Sequence, residues 1–65
     1  MQCVVNGESV EATAATLGQL LIDLGYEEKK VVVALNETFV PNSDWPSCSI
    51  NPGDRLEILA AIAGG

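Results

Sequence analysis

Histidine, basic residues and cysteine are scarce in this 65-residue sequence, which contains no histidine, three Lys and Arg residues and two cysteines. Without histidine, no Ser-His or Cys-His catalytic pair and no Cys₂His₂ zinc site can form. Nine acidic residues leave a net charge of −6, and such a surface repels the phosphate groups of nucleic acids and anionic lipids. We therefore expect no metal site, no nucleic-acid partner and no membrane partner.

Long apolar runs are missing as well. The longest, at residues 58–63, is far shorter than the about 20 residues that cross a bilayer, and the first residues lack the segments of a secretory signal. Cys3 and Cys48 form no Cys-x-x-Cys pair, and we interpret both as small apolar fillers of the core. A secreted domain of this size would normally contain more cysteines. These absences predict a cytoplasmic protein.

Apolar residues, by contrast, are abundant: 48% of the sequence is hydrophobic and 18% is charged. This composition is too apolar for a disordered chain, and the length suffices for one small core but not for two. We expect a single domain over residues 1–65. Its last residues, 62–65, should form a flexible tail because the final Gly-Gly has no side chain to pack.

The sequence opens with the pattern of a β-hairpin. Residues 1–5 read as a strand with Cys3 and Val5 on one face. Asn6-Gly7 supplies the two positive φ angles of a tight turn, and residues 8–12 form the returning strand.

A short amphipathic helix is predicted next. Thr16 and Gln19 fit a capping box at its start, and Gly25 occupies the position of a left-handed C-cap residue. Gly18 in the first turn weakens the helix relative to alanine without excluding it. Four leucines at helical spacing form one apolar stripe: Leu17, Leu20, Leu21 and Leu24.

The second half of the sequence supplies the remaining strands. A solvated charged loop precedes a β-branched run, and this run predicts a strand buried on much of both faces. Pro and Gly at the centre of a type II turn precede the last strand, in which apolar and polar residues alternate. The predicted segments are the loop 27–30, a strand at 31–35, a turn at 36–38, a short strand at 39–40 limited by Pro41, an irregular stretch at 42–48 with one helical turn near 43–45, a turn at 51–54 and a strand at 55–61.

This order of elements, β-β-α-β-β-β, predicts an α+β fold. The single helix must bury its leucine stripe, and the sheet is the only surface large enough to cover it. A β-grasp arrangement, in which a mixed sheet of four or five strands embraces one main helix, satisfies every element and pairs the first and last strands in parallel at its centre. Besides the leucine stripe, the expected core contains Val5, Val33, Leu56 and Ile58, with Trp45 covering its edge.

Taken together, these segments resemble the ThiS family of bacterial sulfur carriers of thiamine biosynthesis, within the ubiquitin-like superfamily. The resemblance spans the whole chain. The terminal Gly-Gly marks the superfamily, and the stretch between the third strand and the tryptophan favours this branch. Asn42 departs from the family pattern, where arginine often follows Val-Pro, so any partner contact that relied on a cation there is in doubt. The matching segments are Asn6-Gly7, 20–25, 33–45, 53–58 and 62–65.

The resemblance implies that the protein is a co-substrate of enzymes and not itself an enzyme. A ThiF-like activating enzyme would use ATP to adenylate the carboxylate of Gly65, while the carrier itself binds no cofactor. Sulfur from a cysteine desulfurase would convert this group to a thiocarboxylate, and a ThiG-like thiazole synthase would receive the sulfur. Gly64 and Gly65 would enter a narrow channel without Cβ clashes.

Apolar residues beside the tail are candidates for partner docking. Leu59, Ala61, Ile62 and Ala63 lie at or just beyond the end of the last predicted strand, where one face can be open to solvent. Packing in the core or on the sheet is the competing interpretation for them.

Three other functions remain open from the sequence. The small subunit of molybdopterin synthase shares the fold, tail and thiocarboxylate chemistry, and a sulfur carrier of another pathway would look similar. A ubiquitin-like interaction module whose tail is never activated is the third, although such a module does not need a bare Gly-Gly end.

Overall fold

The chain folds in the order of elements that the sequence predicts. The computed structural model describes residues 1–26 and 30–60, so most of the predicted loop 27–30 and the predicted tail 62–65 lie outside the described residues. The elements are β1 Gln2–Val5, β2 Glu8–Glu11, α1 Leu17–Asp23, β3 Val31–Leu35, β4 Thr38–Val40, a 3₁₀ segment Asn42–Ser47 and β5 Arg55–Ala60.

Within the described residues, the strands form one five-stranded mixed sheet in the order β2-β1-β5-β3-β4. The first and last strands are parallel neighbours, with Val5 opposite Leu56, while the other neighbouring pairs are antiparallel. The predicted β-grasp topology is therefore confirmed. Its central strand is β5, which leads directly to the predicted tail.

Two hairpin turns of the same kind connect β1 to β2 and β3 to β4. Asn6 and Gly7 have φ angles of 50° and 84°, and Asn36 and Glu37 have φ angles of 51° and 72°. Positive φ at both central residues matches the right-handed twist of the strands that these turns join. The turn at Asn6-Gly7 is as predicted.

The helix begins at a cap that is half of the predicted capping box. Thr16 Oγ1 accepts a hydrogen bond from the Gln19 backbone N–H at 3.3 Å. The Gln19 side chain does not return the contact; it donates to Asp23 Oδ1 at 2.9 Å, one turn further along. An exposed carboxylate at i+4 competes successfully with the Thr16 backbone for this amide.

Gly25 follows the C-cap residue Leu24 and has the left-handed conformation predicted for it. Gly25 has φ +89°, and its N–H donates to the Ile22 carbonyl at 3.0 Å while the Tyr26 N–H donates to the Leu21 carbonyl at 2.9 Å. This pair of hydrogen bonds is a Schellman motif, and the left-handed conformation it requires is one that glycine adopts without strain.

The core lies between α1 and one face of the sheet. The predicted core residues are buried, except that Leu24 is only half-buried, and Trp45 is buried with its Nε1 donating to the Val40 carbonyl at 3.0 Å. The sequence analysis missed three buried residues in connecting segments, namely Ala12, Ala14 and Ile50. The buried hydrophobic residues are Cys3, Val5, Ala12, Ala14, Leu17, Leu20, Leu21, Val33, Trp45, Ile50, Leu56 and Ile58.

The prediction that the third strand is buried on much of both faces is wrong. Val33 is fully buried, but its neighbour Val32 is 43% exposed. Successive side chains of a strand point to opposite faces, and α1 covers only one face of this sheet. The β-branched composition of residues 31–35 therefore reflects a strand next to the centre, with one covered and one open side.

Candidate functional site

The outer side of β5 carries an exposed leucine close to the predicted tail. Leu56 and Ile58 point into the core, and Leu59 alternates with them onto the sheet face away from α1, here called the open face. Leu59 is 66% exposed. The sequence analysis placed a docking residue here, and the structure leaves this side chain accessible.

Neighbouring strands extend Leu59 into an apolar patch. Val32 lies directly opposite Leu59 in the β3–β5 ladder, and Ala34, two residues further along β3, lies opposite Phe39 of β4. Directly opposed residues of antiparallel strands place their side chains on the same face, close enough to touch. Phe39 is 62% exposed. We call Val32, Ala34, Phe39 and Leu59 the open-face patch.

Sequence reasoning found Leu59 but missed Val32 and Phe39. Local sequence contained no usable signal for Phe39, because β4 is Thr-Phe-Val and only its pairing with Ala34 shows which face Phe39 occupies. The patch as a whole depends on the pairing of β3 with β5, which joins residues 21 to 29 positions apart. Such a register cannot be read from local patterns.

Charged residues border the open-face patch. Glu57 lies on the same face as Leu59, opposite Ala34, and a polar depression of about 300 Å³ is lined by Asn36, Glu37, Arg55 and Glu57. An apolar centre with a polar rim is the usual composition of a protein-binding surface. Because the chain has a net charge of −6, a partner with basic residues around an apolar contact fits this surface best.

The other predicted site residues follow β5 and cannot be placed. Ala60 is the last described residue, and its backbone pairs with Val31. The predicted docking residues Ala61, Ile62 and Ala63 and the predicted sulfur-carrying residues Gly64 and Gly65 lie outside the described residues.

Two asparagine side chains hold β5 from its two neighbouring hairpins. Asn6 Oδ1 accepts from the Ile58 N–H at 2.7 Å, and Asn6 Nδ2 donates to the Ile58 carbonyl at 3.0 Å. Asn36 Oδ1 accepts from the Arg55 N–H at 3.0 Å, and its Nδ2 donates to Asp54 Oδ1 at 3.1 Å. Asn6 therefore supports the half of β5 that leads to the tail, and Asn36 supports its beginning.

A second depression, which is apolar, lies on the opposite side of the molecule, between α1 and the 3₁₀ segment. It has a volume of about 370 Å³, and Ile22, Tyr26 and Pro46 contribute to its lining. The two elements pack closely at Gly18, where a Cβ would lie 3.4 Å from the carbonyl carbon and oxygen of Trp45. Ile22 is 68% exposed, which makes it a useful reference for Leu59.

The two cysteines are free thiols in different environments. Cys3 is 1% exposed, and burial, followed by the negative charge of Asp54, raises the pKa of its thiol. Cys48 is half-buried. Cys3 is a core filler as predicted, and its raised pKa makes it a poor nucleophile.

Two kinds of site are not found in the described part of the chain. In residues 1–26 and 30–60, no three His, Cys, Asp or Glu side chains are arranged to hold a metal ion. No helix within these ranges has the length and the apolar content that spanning a membrane requires.

Known proteins match this chain over its whole length. The ThiS family model matches residues 2–65. The chain is 34% identical over 61 residues to the sulfur carrier protein ThiS of Thermus thermophilus, covering 94% of this chain and 95% of that protein.

The crystal structure of the thiamine biosynthesis protein ThiS from Geobacter metallireducens superposes with a TM-score of 0.83, at 26% identity and with full coverage of both chains.

A much longer protein also contains a matching segment. The thiazole synthase of Paramagnetospirillum magneticum is 42% identical over 66 residues, which cover all of this chain and 20% of that protein. The chain thus spans a fifth of the length of that relative. The fold, the central position of β5 and these matches lead to one conclusion: the chain belongs to the ThiS family.

Proposed function

We propose that this chain is a sulfur carrier of thiamine biosynthesis that supplies sulfur for thiazole formation. The observation that carries the proposal is the family match over residues 2–65, which includes the Gly-Gly end. Two relatives of similar length, from Thermus thermophilus and Escherichia coli, are named sulfur carrier protein ThiS. The match to a thiazole synthase favours thiamine over molybdopterin synthesis as the destination of the sulfur.

The proposed reaction takes place at the carboxylate of Gly65. An ionised carboxylate is a poor electrophile, so a ThiF-like enzyme first joins it to the AMP part of ATP and releases pyrophosphate. The persulfide sulfur of a cysteine desulfurase then attacks the carbonyl carbon and displaces AMP. A thiol reductant cleaves the resulting S–S bond and leaves the thiocarboxylate, whose sulfur is a better nucleophile than oxygen.

Glycine suits both positions at this end. Gly64 and Gly65 carry no Cβ, so the chain can enter a narrow active-site channel and adopt backbone angles that other residues avoid. ATP is then a substrate of the activating enzyme, and the carrier has no bound cofactor of its own in this proposal.

The open-face patch is the proposed docking surface for the activating enzyme and for a ThiG-like thiazole synthase. Leu59 and Phe39 are 66% and 62% exposed, and Leu59 lies one residue before Ala60, where the described strand ends. Ala61, Ile62 and Ala63 are proposed to continue this contact toward the reacting carboxylate. A thiazole synthase contains a segment that matches this chain, and this match supports a thiazole synthase as a partner.

In this proposal the chain is a protein co-substrate and not an enzyme. The homologues of similar length are named as carriers. The partners supply catalysis, and the chain supplies recognition and the reacting group.

Intact-protein mass spectrometry tests the proposal. After incubation with ATP, a ThiF-like enzyme and a persulfide donor, we expect a mass increase equal to the difference between sulfur and oxygen, and fragmentation should place it on Gly65. A variant lacking Gly65 should give no product although it remains folded. The Cys3→Ser/Cys48→Ser variant should still accept sulfur. Sulfur found on Cys48, with Gly65 unmodified, would contradict the proposed reaction.

A further inference from the structure

We propose that Asn6 is a positioning residue for the reaction at the C-terminus: its side-chain amide takes over from β1 as the partner of β5 and fixes the direction in which β5 presents residues 61–65. This inference rests on the proposed sulfur-carrier function. It deepens that function by assigning a role to a residue that lies at the opposite end of the sequence from the reacting group.

The hydrogen-bond pattern shows where β1 stops supporting β5. The parallel ladder pairs Val4 with Arg55 and Val5 with Leu56, and the Asn6 backbone N–H then donates to the Leu56 carbonyl at 2.8 Å. At Asn6 the chain turns away into the hairpin, with φ 50°. Beyond this point β1 has no further residue beside β5.

The Asn6 side chain continues the ladder by one more residue. Its Oδ1 and Nδ2 bind the N–H and the carbonyl of Ile58 at 2.7 and 3.0 Å, so one amide group imitates the two backbone groups of a neighbouring strand. Ile58 is two residues before Ala60, or about 7 Å along the strand. Asn6 is thus the last described contact on the β1 side of β5 before the tail.

Loss of this amide would leave the end of β5 held on one side. Val31 and Val33 would still pair with Ala60 and Ile58 from β3, and the buried side chain of Ile58 would remain in the core. The strand would stay folded, but its end could swing or twist about the β3 ladder. A reacting group that must reach an active site at a defined angle is sensitive to such a change, since a misplacement of about 1 Å can cost about 100-fold in rate.

Asn6 is also a central residue of the turn between β1 and β2, and this role can be separated from its contact with Ile58. Glycine adopts the positive φ of this position as readily as asparagine does, so Asn6→Gly keeps the turn and removes only the amide. Asn36→Gly is a matched control. Asn36 occupies the same position of the same kind of turn, with φ 51°, and supports β5 at Arg55, about 17 Å from Ala60 along the strand.

The experiment compares the wild-type chain, Asn6→Gly and Asn36→Gly by two measurements. By NMR hydrogen exchange, we expect the Ile58 amide of Asn6→Gly to exchange about tenfold faster than in Asn36→Gly. In steady-state adenylation by a ThiF-like enzyme, we expect kcat for Asn6→Gly to fall about tenfold. KM should stay near the wild-type value because the open-face patch is intact. Asn36→Gly should retain the wild-type kcat, and because Asn36 lines the polar depression beside the patch, any effect of this control should appear in KM alone.

A conservative variant provides a rescue. Asn6→Asp retains an oxygen that can accept from the Ile58 N–H and tolerates the left-handed conformation, so it should restore the protection of the Ile58 amide and part of kcat. If Asn6→Gly does not fold, Asn6→Asp is the test variant, because its carboxylate cannot donate to the Ile58 carbonyl and kcat should therefore stay below that of the wild type and of Asn36→Gly.

Two results would overturn the role of Asn6: equal kcat values for Asn6→Gly and Asn36→Gly, or an unchanged exchange rate of the Ile58 amide. Adenylation of the wild-type chain would uphold the proposed function in either case. A wild-type chain that is not adenylated would refute the proposed function and the inference together.

Discussion

Replacing Leu59 by threonine is expected to weaken binding to the activating enzyme without changing stability. The substitution removes about two CH₂ equivalents from the open-face patch, each contributing about 0.8 kcal/mol when buried, or about 1.6 kcal/mol in total. Leu59 is 66% exposed in the free chain, so a partner can newly bury about two-thirds of this, about 1.1 kcal/mol. We therefore expect Kd to rise about sixfold.

The matched control is Ile22→Thr. Ile22 is 68% exposed but lies on α1, on the opposite side of the sheet from the open-face patch. Isothermal titration calorimetry with a catalytically inactive ThiF-like enzyme should show the loss for Leu59→Thr only. Threonine retains the β propensity of position 59, so the free energy of unfolding should change by no more than about 0.5 kcal/mol. Equal Kd values for Leu59→Thr and wild type, or an equal loss for Ile22→Thr, would refute the assignment of the docking face.

Three further predictions concern the core, the thiols and pH. Leu20→Ala should lower the free energy of unfolding by about 2–5 kcal/mol in urea denaturation, because the side chain is 2% exposed and its loss leaves a cavity; a loss below about 1 kcal/mol would contradict the packing described here. Alkylation of the native chain should reach Cys48 at least about tenfold faster than Cys3, whose thiol is buried and has a raised pKa, and the difference should vanish in denaturant. The hydrogen bond and charge of the Met1 amine lower the pKa of Glu11. This pair therefore stabilises the fold at pH values above the ordinary pKa of a glutamate, and the contribution is lost as pH falls through the lowered pKa. Glu11→Gln should be slightly less stable than the wild type at pH 7 and equally stable at strongly acidic pH.

The local structure could be predicted from the sequence because its determinants are neighbours in the chain. The Asn6-Gly7 turn, the Thr16 cap and the Gly25 end of α1 each depend on residues within about five positions of one another. The leucine stripe followed from helical spacing in the same way. One exchange of partners was not predictable, because the Gln19 side chain had two possible partners, the Thr16 N–H as a donor and the Asp23 carboxylate as an acceptor, and the structure selects Asp23.

The sequence also indicated the family, and with it the reaction proposed at Gly65. Apolar alternation placed Leu59 on the outside of the last strand, and the structure agrees. The motifs behind the resemblance, including the stretch 33–45, are contiguous segments, so they can be recognised without knowing how the strands pair.

Only the tertiary structure decided which surfaces are open and which residues support β5. The pairing of Val32 with Leu59 creates the open-face patch, and the contact of Asn6 with Ile58 joins residues 52 positions apart. A local pattern specifies which side of a strand is apolar, but not which strand lies beside it or whether a helix covers it. The helix α1 covers one face of the mixed sheet, and Val32, Phe39 and Leu59 on the other face are exposed. Val32 is exposed although its β-branched strand has the sequence pattern of a buried one.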